Sequence, residues 1–270
     1  MVSDLHLSFA KFKSISDDAD VIVIAGDNGE GTIARNMLEF ILSKGKQIVM
    51  IAGNHEYYAI GKSKGKSMTQ IDEYWSNLHQ EIGDGFNYLN NSTCTIDGQR
   101  FMGTTLWGHV PPDKEHIVTN PDAGLNDFMA IIVDGHKMRV SDYNELNRNA
   151  ISFLKDELHK DDVLITHNAI SNLSVDEQYR GNQLNCCYVC DISELLIDRK
   201  PKLAVHGHVH NSSAYMLGDT PVLCNPRGYF GCINGWNLSF DSQMVFDVDS
   251  ISSDIELDYS FASEKESLTI

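Results

Sequence analysis

The sequence predicts an α/β fold with parallel strands, and two observations support this expectation. Short β-branched runs alternate with segments of helical periodicity, and strand, helix and strand follow one another between residues 21 and 52. That order is typical of a βαβ unit, whose two strands lie parallel. The 270 residues suffice for one domain with a sizeable core. We expect one domain over residues 1–250 and a polar, acidic, loosely ordered tail over residues 251–270.

The first βαβ unit rests on three consecutive segments. Residues 21–25 (VIVIA) form a β-branched run that predicts a buried strand. Residues 32–43 carry apolar side chains at helical spacing, and Gly45 follows as a stop signal. Residues 47–52 (QIVMIA) predict the second buried strand.

The remaining elements follow in order along the chain. Asp97 and Gly98 lie between two alternating segments within residues 95–102, which predicts a hairpin. Three prolines predict that residues 108–124 form a loop. Helices are predicted near residues 141–159 and 191–198. Strands are predicted over residues 162–166, 202–205, 215–217, 221–224 and 244–248.

Composition narrows the classes of function. The net charge of −17 disfavours binding to long duplex nucleic acid, which requires clustered basic side chains. No apolar run approaches the roughly 18 residues of a membrane span, and no basic-then-apolar leader opens the chain, so a cytoplasmic protein without a membrane partner is expected. The six cysteines are expected to be free thiols, because the single pair Cys187-x-x-Cys190 is a weak signal for zinc.

Polar side chains follow almost every predicted strand. They are Asp4, His6, Asp27, Asn54, His55, His167, His208 and His210. Any one of them alone is typical of a cap or a turn, but ligands bind at the carboxyl ends of strands in open α/β sheets. Carboxylate oxygen, amide oxygen and imidazole nitrogen together suit a divalent transition metal. This many groups exceed what one ion needs and favour two ions that share a carboxylate. His206, on the strand itself, is expected to support a ligand or the core.

Five ordered blocks within residues 4–210 resemble the calcineurin-like metallophosphoesterases. The blocks are Asp4-x-His6, Gly26-Asp27, Gly53-Asn54-His55-Glu56, Thr166-His167 and Gly207-His208-x-His210. Further stretches resemble small bacterial and phage-type phosphohydrolases of that family, namely Tyr57-Tyr58, Thr105-Leu106-Trp107 and Asn225-Pro226-Arg227-Gly228-Tyr229. The resemblance implies a four-layer αββα sandwich of the metallophosphoesterase type, with mixed sheets packed together and helices outside.

The resemblance also implies a binuclear metal centre and a reaction. It assigns Asp4, His6 and His210 to one ion and Asn54, His167 and His208 to the other, with Asp27 bridging. The ions implied are manganese, iron, zinc or nickel, and manganese is the one expected to serve in vitro. A metal-bridging hydroxide would attack a phosphodiester or phosphomonoester in line. His55 is the implied catalytic residue, which stabilises the transition state or protonates the leaving oxygen.

Two other functions stay open at this point. One is a nuclease acting on short or single-stranded nucleic acid, which the low basic content does not oppose. The other is a non-catalytic scaffold, which the full set of ligand types and His55 disfavours. The absence of arginine and a second aspartate in Asp27-Asn28-Gly29-Glu30 disfavours a protein serine/threonine phosphatase. The expected partner is a small phosphate ester, and no protein partner is predicted.

The segment before the first block is short. Only Met1, Val2 and Ser3 precede Asp4, whereas a strand typically runs about five residues. We therefore expect few ladder hydrogen bonds there. On the same reasoning, the ion assigned to Asp4, His6 and His210 should be the more weakly bound of the two.

Overall fold

Two sheets lie at the centre of the structure, a computed structural model that describes residues 1–8, 15–29, 31–232 and 235–251. The strands are β1 (Val21–Ala25), β2 (Gln47–Ile51), β3 (Phe86–Leu89), β4 (Ser92–Ile96), β5 (Gln99–Thr104), β6 (Ile132–Val133), β7 (His136–Lys137), β8 (Val163–Thr166), β9 (Leu203–His206), β10 (Ser213–Leu217) and β11 (Thr220–Cys224). The first sheet is parallel, in the order β1-β2-β3, and the second is mixed, in the order β10-β11-β9-β8-β5-β4. The short strands β6 and β7 pair separately.

The helices cover the outer faces of the two sheets. They are α1 (Gly31–Ser43), α2 (Met68–Asn77), α3 (His79–Ile82), α4 (Glu115–Val118), α5 (Asp127–Ala130), α6 (Val140–Glu157), α7 (Asn185–Tyr188) and α8 (Ser193–Arg199). The predicted helices near residues 32–43, 141–159 and 191–198 are confirmed as α1, α6 and α8. The predicted hairpin is confirmed as β4 and β5, which pair antiparallel around Asp97 and Gly98.

The layers follow from the alternation of side chains along each strand. On β1, Val23 belongs to the apolar cluster between the two sheets, whereas Ile24 packs with Leu38 of α1 on the outer face. On β8, Ile165 belongs to the same inter-sheet cluster, and Leu164 packs outward in a cluster that includes residues of α6 and α8. The layer order is helix, sheet, sheet, helix, which confirms the four-layer sandwich and its mixed sheet.

Two predicted elements are wrong. Residues 244–248 form no strand, although the structure describes them. Phe246 and Val248 pack against the inter-sheet cluster. The alternating apolar residues that suggested a strand therefore contribute to packing and form no strand pairing. The predicted loop over residues 108–124 contains α4, preceded by a single 3-10 turn at Pro112–Lys114. Pro112 and Pro121 each begin a 3-10 turn, a position where the missing N–H of proline is not needed, and α4 lies between them. Residues 252–270 of the predicted tail, which spans residues 251–270, lie outside the described residues.

The first eight residues run beside β1 and reach the segment that follows β11. The backbone N–H of Val2 donates to the carbonyl of Val23 at 2.9 Å, and that of Arg227 donates to the carbonyl of Ser3 at 3.0 Å. Isolated bridges link the segment to neighbours on both sides. The expectation of few ladder hydrogen bonds before Asp4 is therefore wrong, because three residues between two partners can bond to each of them.

Candidate metal centre

The carboxyl ends of the strands bring all the predicted site residues to one place. Asp4 and His6 follow the segment beside β1, Asp27 follows β1, Asn54 and His55 follow β2, His167 follows β8, and His208 and His210 follow β9. Contacts within hydrogen-bonding or ring-packing distance connect every one of them to another member of this set. The side chains of Asp4, His6, Asp27, Asn54 and His167 are buried.

The backbone of the site is held in an unusual conformation. Asp4, His6, Asp27, His208 and His210 all have positive φ, with values of 49°, 43°, 54°, 70° and 51°. A positive φ is uncommon for residues other than glycine, and such strain concentrates at functional sites. The left-handed turn lets two ligand-bearing residues leave the end of one strand and still point toward the same centre.

Asp27 occupies the middle of the cluster. Its Oδ1 lies 3.4 Å from His167 Nε2, and its Oδ2 lies 3.7 Å from His6 Nε2. The Oδ1 atom also accepts a hydrogen bond from the backbone N–H of His55 at 2.9 Å. The two oxygens of one buried carboxylate therefore face two different histidines.

One side of the cluster is formed by Asp4, His6 and His210. His210 Nε2 lies 3.3 Å from Asp4 Oδ1 and 3.1 Å from His6 Nε2. Both oxygens of Asp4 accept from the backbone N–H of His208, which ties this group to the turn after β9. Gly207 is required here, because a Cβ atom at that position would lie 2.5 Å from Asp4 Oδ2.

The other side is formed by Asn54, His167 and His208. His167 Nδ1 bonds to the carbonyl of Ala25 at 2.9 Å, so its Nε2 faces Asp27 and lies 3.1 Å from Asn54 Oδ1. The rings of His167 and His208 have centroids 4.8 Å apart. The imidazole of His206, by contrast, bonds to Ser174 Oγ at 2.7 Å and to a backbone carbonyl, away from these groups.

His55 lies at the more open part of the site, with 22% of its side chain exposed. Its Nε2 is 3.0 Å from the hydroxyl of Tyr229 and 3.8 Å from Asp27 Oδ2. The Tyr229 ring also packs on His6, with centroids 4.4 Å apart. Burial raises the pKa of Tyr229, and the neighbouring carboxylates raise it further, so the phenol stays neutral and can either donate a hydrogen bond to His55 Nε2 or accept one from it.

Burial and the neighbouring carboxylates set the protonation of the histidines in the site. Burial lowers the pKa of His6 and of His208 to about 3, so both imidazoles are neutral and keep a lone pair. Burial also acts to lower the pKa of His167, but the carboxylate of Asp27 raises it to about 10. A cation bound there would take the place of this proton, because a histidine ligand must be deprotonated.

The donors present fit divalent transition metals. Within the described part of the chain, three groups offer ligand atoms within 4.8 Å of one another: Asp4, His6 and His210; His6, Asp27 and His55; and Asp27, His167 and His208. Carboxylate oxygen and imidazole nitrogen are ligands of such ions, and Asn54 adds an amide oxygen beside His167. His55 takes part in one of the groups, so the distances also allow it as a ligand.

Glu56 holds the loops that carry the ligands, a role that the sequence did not reveal. Its Oε2 accepts from the backbone N–H groups of Asp27 at 2.8 Å and Gly53 at 2.7 Å. Its Oε1 accepts from that of Gly29 at 3.1 Å. The side chain is buried, so one carboxyl group satisfies three donors that water does not reach.

We expect Glu56→Gln to lower the free energy of unfolding of the metal-free protein by about 2–3 kcal/mol, because an amide offers one oxygen and turns its NH₂ toward a buried N–H. Urea unfolding measures this loss. Glu39→Gln is the matched control, since Glu39 is exposed and pairs with Arg35 at the surface, and it should cost less than about 1 kcal/mol. Equal losses in the two variants would remove this role from Glu56.

Two aromatic side chains, Tyr188 and Tyr58, contact histidines of the site, and the sequence did not predict these contacts. The Tyr188 ring stacks on His208, with centroids 4.7 Å apart and an interplanar angle of 24°. Tyr58 packs against His55, with centroids 4.4 Å apart, and bonds to Asp127, a buried residue of α5. Tyr58 and Tyr229 stand in stretches that the resemblance includes, but nothing in the sequence connects Asp127 or Tyr188 to the strand ends.

Comparison with known proteins agrees with the fold and with the family that the sequence resembles. The profile of the calcineurin-like phosphoesterases matches residues 1–212, and the chain belongs to this family of metal-dependent hydrolases of phosphate esters. An alignment with an uncharacterised protein of Acanthamoeba polyphaga mimivirus spans 266 positions at 25% identity and covers 87% of this chain and 92% of that protein. The crystal structure of the phosphopantetheinyl hydrolase PptH from Mycobacterium tuberculosis is similar with a TM-score of 0.65 at 16% identity, covering 84% of this chain and 88% of that one. This likeness confirms the fold.

Among the residues that the structure describes, no helix combines the length and the apolar character needed to cross a bilayer.

Proposed function

We propose that this protein hydrolyses a small phosphodiester or phosphomonoester with two divalent ions. Asp4, His6 and His210 hold one ion in this proposal. Asn54, His167 and His208 hold the other, and Asp27 bridges the pair. The observation that carries it is the position of Asp27, whose two oxygens face His167 and His6 at 3.4 and 3.7 Å.

The metal ions would supply most of the electrostatic stabilisation of the transition state. When bound, they would hold the phosphate, lower the pKa of the attacking water and offset the charge that develops in the transition state. Local positive charge matters here because the chain carries a net charge of −17, which otherwise repels an anionic substrate. Manganese remains the ion predicted to support activity in vitro.

The chain's own residues would orient the substrate and move one proton. The side chain of His55 is 22% exposed, against 17% for His210 and 2% for His6. Its Nε2 is therefore available to donate a proton to the leaving oxygen. Tyr229 and Tyr58, which contact this ring, hold it over Asp27. Residues 1–250 would make up the functional domain, and a cytoplasmic location remains a prediction.

An assay across substrate types tests the proposal. The purified protein, loaded with manganese, is given an aryl phosphomonoester, an aryl phosphodiester, a cyclic nucleotide and a phosphopantetheinyl ester. We expect hydrolysis of at least one of them, its loss after chelation, and its return when manganese is restored. Bound metal without hydrolysis of any ester would favour the scaffold alternative and contradict the proposal.

A further inference from the structure

Asn54 is the one amide in the proposed ligand set, and an amide has two unlike ends. Its Oδ1 faces His167 Nε2 at 3.1 Å, where the second ion is proposed to bind. Its Nδ2 faces away and donates to Tyr58 Oη and to Asp127 Oδ1, both at 2.9 Å. Only the oxygen of an amide can bind a cation, since the NH₂ group offers no lone pair. The direction of this one side chain therefore decides whether it serves as a ligand.

Asp127 Oδ1 is an acceptor for two donors at once. It receives the hydroxyl of Tyr58 at 2.9 Å as well as the amide of Asn54. Tyr58, Asp127 and Asn54 are each at most 5% exposed, so water does not compete for these bonds. In this closed triangle, a flipped Asn54 would turn its oxygen toward the oxygen of Asp127 and lose a buried hydrogen bond.

The backbone fixes Asp127 in this position. The segment that follows α5 pairs with Tyr58, through an antiparallel bridge between Tyr58 and Ile131. Ala59 N–H donates to the carbonyl of Ala130 at 2.7 Å, and Ile131 N–H donates to the carbonyl of Asp127 at 3.1 Å. Asp127 thus belongs to a rigid element that is docked on the residues directly after Asn54.

We infer that Asp127, with Tyr58, is a positioning residue that holds the Asn54 amide with its oxygen toward the second metal ion. The inference rests on the proposed function, because it assumes that Asn54 is a ligand. It adds a residue outside all five sequence blocks to the machinery of the centre. Removing a hydrogen-bond partner of a metal ligand typically weakens metal binding by about 10–100-fold.

Manganese titration of the metal-free protein, followed by the electron paramagnetic resonance of the free ion, tests this. We expect Asp127→Leu to weaken one of two sites by about 10–100-fold and to leave the other unchanged. Asp127→Asn is the conservative control, because its amide oxygen can still accept from Asn54 and Tyr58. It should stay close to the native affinity. Thermal unfolding of each metal-free variant shows whether it is folded.

A charge exchange separates orientation from general packing. Asn54→Asp places two carboxylates face to face and should weaken the same site. Adding Asp127→Asn gives the new carboxylate an amide donor again, so the double variant should recover affinity. It conserves shape and total charge, which keeps the test valid if Asp127→Leu does not fold.

Three results would overturn the inference. The first is native affinity at both sites in Asp127→Leu, and the second is a double variant no better than Asn54→Asp alone. If the native protein binds manganese at two sites, either of these results contradicts the inference about Asp127 and leaves the proposed function in place. The third is a native protein that binds no manganese, which would overturn the proposed function together with the inference.

Discussion

Asp27→Ala is expected to abolish phosphoesterase activity and to leave the protein with less bound metal than Asn54→Ala. The reason is that Asp27 faces both halves of the site, with Oδ1 3.4 Å from His167 Nε2 and Oδ2 3.7 Å from His6 Nε2. Its charge also cancels part of the repulsion between two cations, whereas Asn54 contributes one neutral oxygen. Metal analysis of the purified variants measures the difference directly.

A second substitution separates charge from hydrogen bonding at this position. Asp27 Oδ1 also accepts from the backbone N–H of His55, so Asp27→Ala removes a structural bond as well as a ligand. Asp27→Asn retains an oxygen for that bond and loses the negative charge. We expect it to bind less metal than the native protein as well. Two full equivalents in Asp27→Ala would defeat the bridging assignment.

His55→Ala and His55→Asn are expected to keep both metal ions and to lose about 10²–10⁴-fold in catalytic rate, the range typical of a lost general acid. His55 is bonded to Tyr229 and has 22% of its side chain exposed, which suits proton donation more than enclosure of an ion. A leaving group that needs no proton, such as p-nitrophenolate, should be affected less than an alkoxide. The measurement is kcat on matched aryl and alkyl esters.

Tyr229→Phe serves as the graded control for this prediction. It removes the hydroxyl that lies 3.0 Å from His55 Nε2 and keeps the ring that packs on His6. A smaller loss with the same preference for aryl esters is expected. Equal losses on aryl and alkyl esters in His55→Ala would indicate phosphate binding instead of acid catalysis. Loss of one metal equivalent would make His55 a ligand, as the distances in the cluster allow.

The architecture was predictable where local pattern and layer position agree. Residues 21–25 and 48–51 are apolar on both faces because both sheets are covered on both sides, and their continuous runs indicate this directly. Residues 244–248 have the alternation of a strand, but Phe246 and Val248 pack on the inter-sheet cluster without strand pairing. Pairing depends on which strand edge is free in three dimensions, and periodicity alone carries no information about that.

The candidate site was predictable because its residues follow strand ends in a fixed order. Parallel strands bring their carboxyl ends to one edge, so Asp27, Asn54 and His167 meet although more than a hundred residues separate the first from the last. Asp127 could not be found in this way. It reaches Asn54 only because the segment after α5 returns to pair with Tyr58, a tertiary contact without a sequence signal.

The relative affinity of the two metal sites is a separate question. The residues before Asp4 are bonded on both sides, so the reason for expecting a weaker site at Asp4, His6 and His210 is removed. Manganese titration of the native protein, the same measurement proposed for Asp127, resolves whether the two affinities differ.

Anomalous X-ray diffraction from crystals of the native protein grown with manganese tests the central claim most directly. We expect two anomalous peaks about 4 Å apart. The carboxylate of Asp27 should lie between them, with His210 at one peak and His167 at the other. A single peak, or two peaks of which neither contacts Asp27, would contradict the binuclear site.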